Sequence, residues 1–139
     1  MSKAYDTDAG IDLHSREDKI VPARGSAVFD TGVHIELPKV NIAGILGLPY
    51  EFYTAGILKS KSGLNVNHDI ISTGTIDYSY RGSIKVKLIN NGDTDYLVKA
   101  GDKISQLVIV PIITPNRIIV VDELSEGERG DNGFGSSGR

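Results

Sequence analysis

The sequence predicts an all-β domain of the sandwich or barrel kind, on three observations. Apolar residues recur with a period of two, as at 33–37 (VHIEL) and 84–88 (IKVKL), the pattern of strands with one buried face. Turn signals punctuate the chain at short intervals: ARG at 23–25, DTG at 30–32, NNGD at 90–93 and KAGD at 99–102. Helical periodicity is scarce, with one helical turn around Ser62 to Val66.

Taken in order, 9–13 (AGIDL) reads as a strand with Asp12 between apolar neighbours, and 31–38 (TGVHIELP) as a further strand. The stretch 39–54 is apolar and long, and an extended hairpin is the expectation. The run 103–122 also fits a helical face through Ile104, Leu107 and Val108, but its β-branched residues and two prolines favour strands. A boundary near Gly127 separates a β domain, 1–127, from an arm, 128–139. That arm holds four glycines, two arginines and a lone Phe134, so it is expected to be flexible.

At 139 residues and 40% hydrophobic content, the chain suits one domain with one core. It has no cysteine, which excludes disulfides, cysteine-based zinc sites and thiol nucleophiles. No run approaches the roughly 20 apolar residues of a membrane span, and the first ten residues lack a signal-peptide core. The expectation is a soluble, cytoplasmic protein with no membrane partner. The charge of −3, from 15 basic and 18 acidic residues without a basic block, argues against a nucleic-acid partner but leaves room for a small phosphorylated ligand.

Five stretches carry polar residues suited to chemistry. Asp12 alone reads as an exposed strand carboxylate or a turn partner. In 56–64 (GILKSKSGL), Lys59, Lys61 and Ser62 precede the helical turn; this is an ordinary surface turn or an anion site, and its spacing is not that of a Walker A loop. In 72–87 (STGTIDYSYRGSIKVK), Asp77 and Tyr80 sit three residues apart in a polar bend flanked by Gly74 and Gly82. They fit either a base poised over a water beside an aromatic platform, or an Asp-initiated turn with a packed ring. Gln106 follows the 99–102 turn on a strand, and the arm is the fifth stretch. The three histidines, His14, His34 and His68, lack metal-ligand spacing; His34 is expected on a solvated face.

Together and in this order, the five stretches resemble the motifs of the trimeric dUTP diphosphatases, the dUTPases, and most closely those of phage or prophage type. The resemblance runs from Ala9 to Gly138 and includes the 31–38 strand. It implies a small antiparallel jelly-roll-like β-barrel, assembled as a homotrimer with active sites shared between subunits. The implied reaction is magnesium-dependent hydrolysis of dUTP to dUMP and pyrophosphate, by water attack on the α-phosphorus. This keeps uracil out of DNA and supplies dUMP for thymidylate synthesis.

Carried over residue by residue, the resemblance makes Asp77 the general base. Ile71, Gly74, Thr75, Ile76, Tyr80 and Lys85 become base and sugar contacts, with Tyr80 beneath the deoxyribose and Phe134 stacked over the uracil. Lys61, Ser62, Gly63, Gln106, Arg129, Gly135, Ser136 and Ser137 become phosphate contacts. Asp12 meets Mg2+ indirectly, through water, or orders a neighbouring motif. The chain departs from the family pattern with Lys61 in place of a common arginine, which loses a planar fork. Asn132 and Ser137 stand where glycine and threonine are frequent, and 39–54 is longer than usual. Two alternatives belong to the same resemblance: a nucleotide-gated module that binds a regulatory protein through 39–54, and a dCTP deaminase relative, which the Asp77 motif and the Phe134 arm disfavour.

Overall fold

The computed structural model describes residues 1–3, 5–41, 51–113 and 118–127. Its strands are β1 (Gly10–His14), β2 (Lys19–Val21), β3 (Ser26–Asp30), β4 (Val40–Asn41), β5 (Glu51–Ser60), β6 (Ile70–Ile76), β7 (Lys85–Asn90), β8 (Tyr96–Val98) and β9 (Lys103–Ile112). One short helix, α1 (Ser62–His68), interrupts them among the described residues. The main sheet runs β1-β9-β5-β6-β7-β3, with β4 beside β5, while β2 and β8 form a separate ribbon. Every named pairing is antiparallel, and the sheet curls into a half-barrel of jelly-roll type.

The curl closes on a single core, in which Phe29, Leu13, Leu37, Ile70, Ile84, Leu88, Ile104 and Leu107 are fully buried. Alternation puts them there: β3 and β7 bury every second side chain and expose Lys85 and Lys87 between them. Buried polar groups are internally bonded. Asn90 donates to the carbonyls of Val21 and Thr94 at 3.1 and 2.8 Å and accepts from Gly92 N–H at 2.9 Å, tying β7 to the ribbon. Ser72 and Ser105 face each other at 2.9 Å, and Ser105 also donates to the Lys59 carbonyl, so hydroxyls lock β6 and β9 around β5.

Two strand expectations are corrected. Residues 31–39 alternate in burial as anticipated, yet they form no strand. Among the described residues its backbone meets other backbone only at Ile84, through Thr31 N–H and the Val33 carbonyl, so no ladder forms. Side-chain alternation needs only a buried face, whereas a strand also needs a continuous backbone partner. Likewise, among the described residues of the 103–122 run, the strand ends at Ile112, and Ile118, Ile119, Val120 and Val121 are exposed and outside any strand. The helical turn extends two residues further than expected, to His68, where Asp69 caps it in the left-handed conformation at φ 59°. At the long 39–54 stretch, β4 pairs with the start of β5 through Val40 and Phe52, while 42–50 lies outside the described residues.

Candidate active site

Two polar groups emerge from this frame. The first forms where β1, β9 and the β5–α1 junction meet. Antiparallel register sets Asp12 opposite Gln106, and Gln106 in turn opposite Lys59, two residues before Lys61. Asp12 is 3% exposed, which corrects the exposed carboxylate expected from alternation. Its Oδ1 accepts from Lys61 Nζ at 2.9 Å and Gln106 Nε2 at 3.2 Å, and its Oδ2 meets Lys103 Nζ at 2.8 Å. Sequence reading singled out the first three residues but not Lys103. The signal available was the lysine that opens β9, directly after the 99–102 turn and three residues before Gln106.

Burial acts to push the Asp12 carboxyl up, but donation from Lys103, Lys61 and Gln106 overrides it and holds the group at about 2, below the usual 3.8. A depressed folded value stabilises the fold fully above about pH 3.8, and that contribution is lost as pH falls through about 2. The difference corresponds to about 2 kcal/mol. Asp12→Asn is therefore expected to unfold about 2 kcal/mol more easily than the parent at neutral pH. Denaturant titrations should show the gap narrowing as pH drops below about 3.8. A gap that stayed constant from pH 3.8 down to about 2 would contradict an ionic origin.

Lys61 is also the N-cap of α1, at φ −67° and ψ 127°, and makes no side-chain cap. Its ammonium goes to Asp12, and the N–H groups of Ser62 and Gly63 lack an intrahelical acceptor because they precede the first helical bond, from Asn65 N–H to the Lys61 carbonyl. A Cβ on Gly63 would meet nothing within 4 Å, so the front of this turn is open.

The second group lies where β6 and β7 part. Their ladder joins Ile70 to Asn90, Ile71 to Ile89 and Ser72 to Leu88, then stops. Beyond it, β6 continues against β5 through Ile76, while Lys85, Val86 and Lys87 pair with β3. The divergence opens a cleft of about 310 Å³ lined by Thr75, Ile76, Asp77, Tyr80 and Lys85. Its facing strand edges carry main-chain donors and acceptors outside the β6–β7 ladder. Asp77 is exposed, and its carbonyl accepts Tyr80 N–H at 3.0 Å, closing the bend. Gly74 sits on β6 opposite Leu58, and Ile71 lies deeper in the sheet, inside the ladder.

The connection from Asp77 to Ser83 is braced by 30–36. Asp30 accepts from Ser83 Oγ, and this bond together with Gly32 N–H keeps its carboxyl below the ordinary value. His34, on the solvated side as expected, donates from Nδ1 to the Arg81 carbonyl at 2.9 Å. These bonds explain why 31–39 is extended without being a strand: its side chains hold a turn rather than its backbone a sheet.

The two groups do not meet within one chain. Asp12 and β6 are separated by three inter-strand steps, roughly 14 Å at about 4.8 Å each. No bond or shared cleft joins them among the described residues. Arg129, Phe134, Gly135, Ser136 and Ser137 lie outside the described residues.

The dUTPase family model matches residues 1–138. The deoxyuridine 5'-triphosphate nucleotidohydrolase of Clostridium acetobutylicum is 40% identical over 138 residues, spanning 97% of this chain and 86% of that protein. The dUTPase of Staphylococcus bacteriophage 80alpha, solved as a variant with dUpNHpp, shares 29% identity over 99% of this chain and 90% of its own, with a TM-score of 0.81. A variant dUTPase from phage phi11 of S. aureus, described with a structural Mg(II) ion, shares 28% identity over 88% of each chain, with a TM-score of 0.69. The chain belongs to the dUTPase family, the deoxyuridine 5'-triphosphate nucleotidohydrolases.

Proposed function

We propose that this chain hydrolyses dUTP to dUMP and pyrophosphate, with uracil and deoxyribose in the cleft between β6 and β7 and the phosphates at the Asp12 group of a neighbouring subunit. The parting of β6 and β7 after Ser72 and Leu88 carries this reading. Main-chain N–H and C=O groups along those edges match the alternating polarity of a uracil edge, and cytosine presents the opposite pattern. A site built on such bonds discriminates by about 10⁴ to 10⁵. Thymine is excluded instead by the tight fit around the ring's methyl position.

Asp77, at the mouth of the cleft, acts as the base that orients and deprotonates the water attacking the α-phosphorus. Lys61, Ser62, Gly63 and Gln106 hold the phosphates. Arg129 and the 135–137 segment close on them from a third chain, with Phe134 over the base. The separation of the two polar groups within one chain fits a homotrimer in which neighbouring chains supply them to a shared site. The exposed apolar run at 118–121 supports it too, since a patch of this kind is what a second copy covers.

Magnesium fits this site only as part of the nucleotide. Among the described residues no three carboxylates or histidines converge to hold an ion directly. Asp12 already accepts from Lys61, Lys103 and Gln106, which leaves about one of its four lone-pair positions, enough for a water of a hydrated ion. Bound with the phosphates, magnesium would neutralise part of their charge. Lys61 and Gln106 then position the chain of phosphates while Asp12 keeps both side chains aimed.

The test is pyrophosphate release by the purified protein from dUTP, dCTP, dTTP and UTP with magnesium present, alongside its mass by light scattering. Turnover of dUTP alone, by a particle of three chains, is the expected result. Absence of dUTP turnover, or equal turnover of dCTP, would overturn the reading.

A further inference from the structure

Tyr80 does not stand free at the mouth of the cleft. Its hydroxyl donates to the Ser83 carbonyl at 3.0 Å, which folds the ring back over the intervening turn. The ring then crosses Gly82 so closely that a Cβ there would lie 2.6 Å from Cζ and 3.0 Å from Cε2. Such a contact is too short to keep, so any side chain at 82 must shift the ring. The backbone itself would accept alanine: the left-handed φ values among the described glycines belong to Gly32 and Gly101, not Gly82. Glycine at 82 is therefore a steric requirement of the ring and not a conformational one.

The turn cannot readily yield in the ring's place. Ser83 is bonded to Asp30, and Arg81 Nη1 donates to the carbonyls of Tyr78 and Tyr80 at 2.8 and 3.0 Å. Arg81 Nη2 reaches Glu36 at 3.5 Å, and His34 holds the Arg81 carbonyl. Floor and tether are thus both fixed from outside the cleft, and the ring is the part left to move.

We infer that Gly82 is a specificity-determining positioning residue: with the Ser83 carbonyl it sets how far the Tyr80 ring reaches into the cleft, and so whether a sugar with a 2′-hydroxyl fits above it. This rests on the reading of the β6–β7 cleft as the deoxynucleoside site. A methyl group at 82 forces the ring off its bed and breaks the tether to Ser83. The platform then no longer presses on the C2′ side of the sugar, and ribose is rejected less well.

The experiment is Gly82→Ala, with kcat and KM measured for dUTP and UTP and with unfolding midpoint and mass checked. The ratio of kcat/KM for dUTP to that for UTP is expected to fall tenfold or more. The loss on dUTP should lie in KM, because Asp77 is untouched. A folded Gly82→Ala protein with the parent's ratio overturns the inference. Should that variant not fold, Tyr80→Phe decides: it keeps the ring and deletes only the tether, and the ratio should drop threefold or more. An unchanged ratio there removes the tether's role and the inference with it. A parent protein inactive on dUTP would instead sink the underlying reading, before either variant is compared.

Discussion

Asp77→Asn is expected to lower kcat for dUTP by about 10²- to 10⁴-fold, the range for loss of a positioned general base. KM and the unfolding midpoint should stay near those of the parent. The reason is that Asp77 contributes to the fold through its backbone. Its carbonyl closes the bend by accepting Tyr80 N–H at 3.0 Å, and an asparagine makes the same bond. The side chain is exposed at the cleft and is engaged in no ion pair among the described residues, so nothing structural is lost with its charge. What is lost is the capacity to take a proton from water, which an amide does not have at neutral pH. Steady-state kinetics beside thermal unfolding separates the effects. A kcat within threefold of the parent would remove Asp77 from the chemistry. A large fall in the unfolding midpoint would mean that the carboxylate was structural after all.

A feature is legible in the sequence where the requirement that shapes it is local. Alternation at 84–88 leads directly to β7, because Ile84, Val86 and Leu88 need only a buried face and that need is local. At 33–37 the identical pattern fails to give a strand, since ladder formation depends on which backbone lies alongside. Asp12 marks a second limit. Its flanking residues reveal a strand, but its burial comes from Gln106, 94 positions away, from Lys103 on the same strand as Gln106, and from Lys61 at the start of α1. Such long-range register leaves no periodic trace, and the place of Lys103 after a turn and three residues before Gln106 gains meaning only once β1 is known to lie alongside β9. The cleft was partly legible: Asp77, Tyr80 and Gly82 stand out as a polar bend between apolar runs. That β6 and β7 part after three pairs was not, because it depends on each strand following its other neighbour in the far half, β6 staying on β5 and β7 on β3.

A chain ended at Gly127 is expected to keep its unfolding midpoint and its oligomeric mass, and to lose about 10²- to 10³-fold in kcat/KM for dUTP. The deleted residues, 128–139, contain Phe134 as their one large apolar side chain, so they bring almost no surface to a core. Among the described residues the core runs from Leu13 to Leu107. On the proposed reading they act on the nucleotide instead. Stacking of Phe134 over the base is worth about 1–3 kcal/mol, and charged hydrogen bonds from Arg129 to phosphate about 1.5–3 kcal/mol. Together these amount to about 2.5–6 kcal/mol, and the stated loss, about 3–4 kcal/mol, lies within that range. Arg129→Ala and Phe134→Ala divide the effect. The first should act mainly on kcat, where charge develops on the phosphates, and the second on KM, where the base is held. A truncated protein of full activity would show that the arm plays no part in turnover. One that fell apart into single chains would show that it serves assembly, and the activity loss would then follow from the loss of shared sites rather than from Arg129 and Phe134.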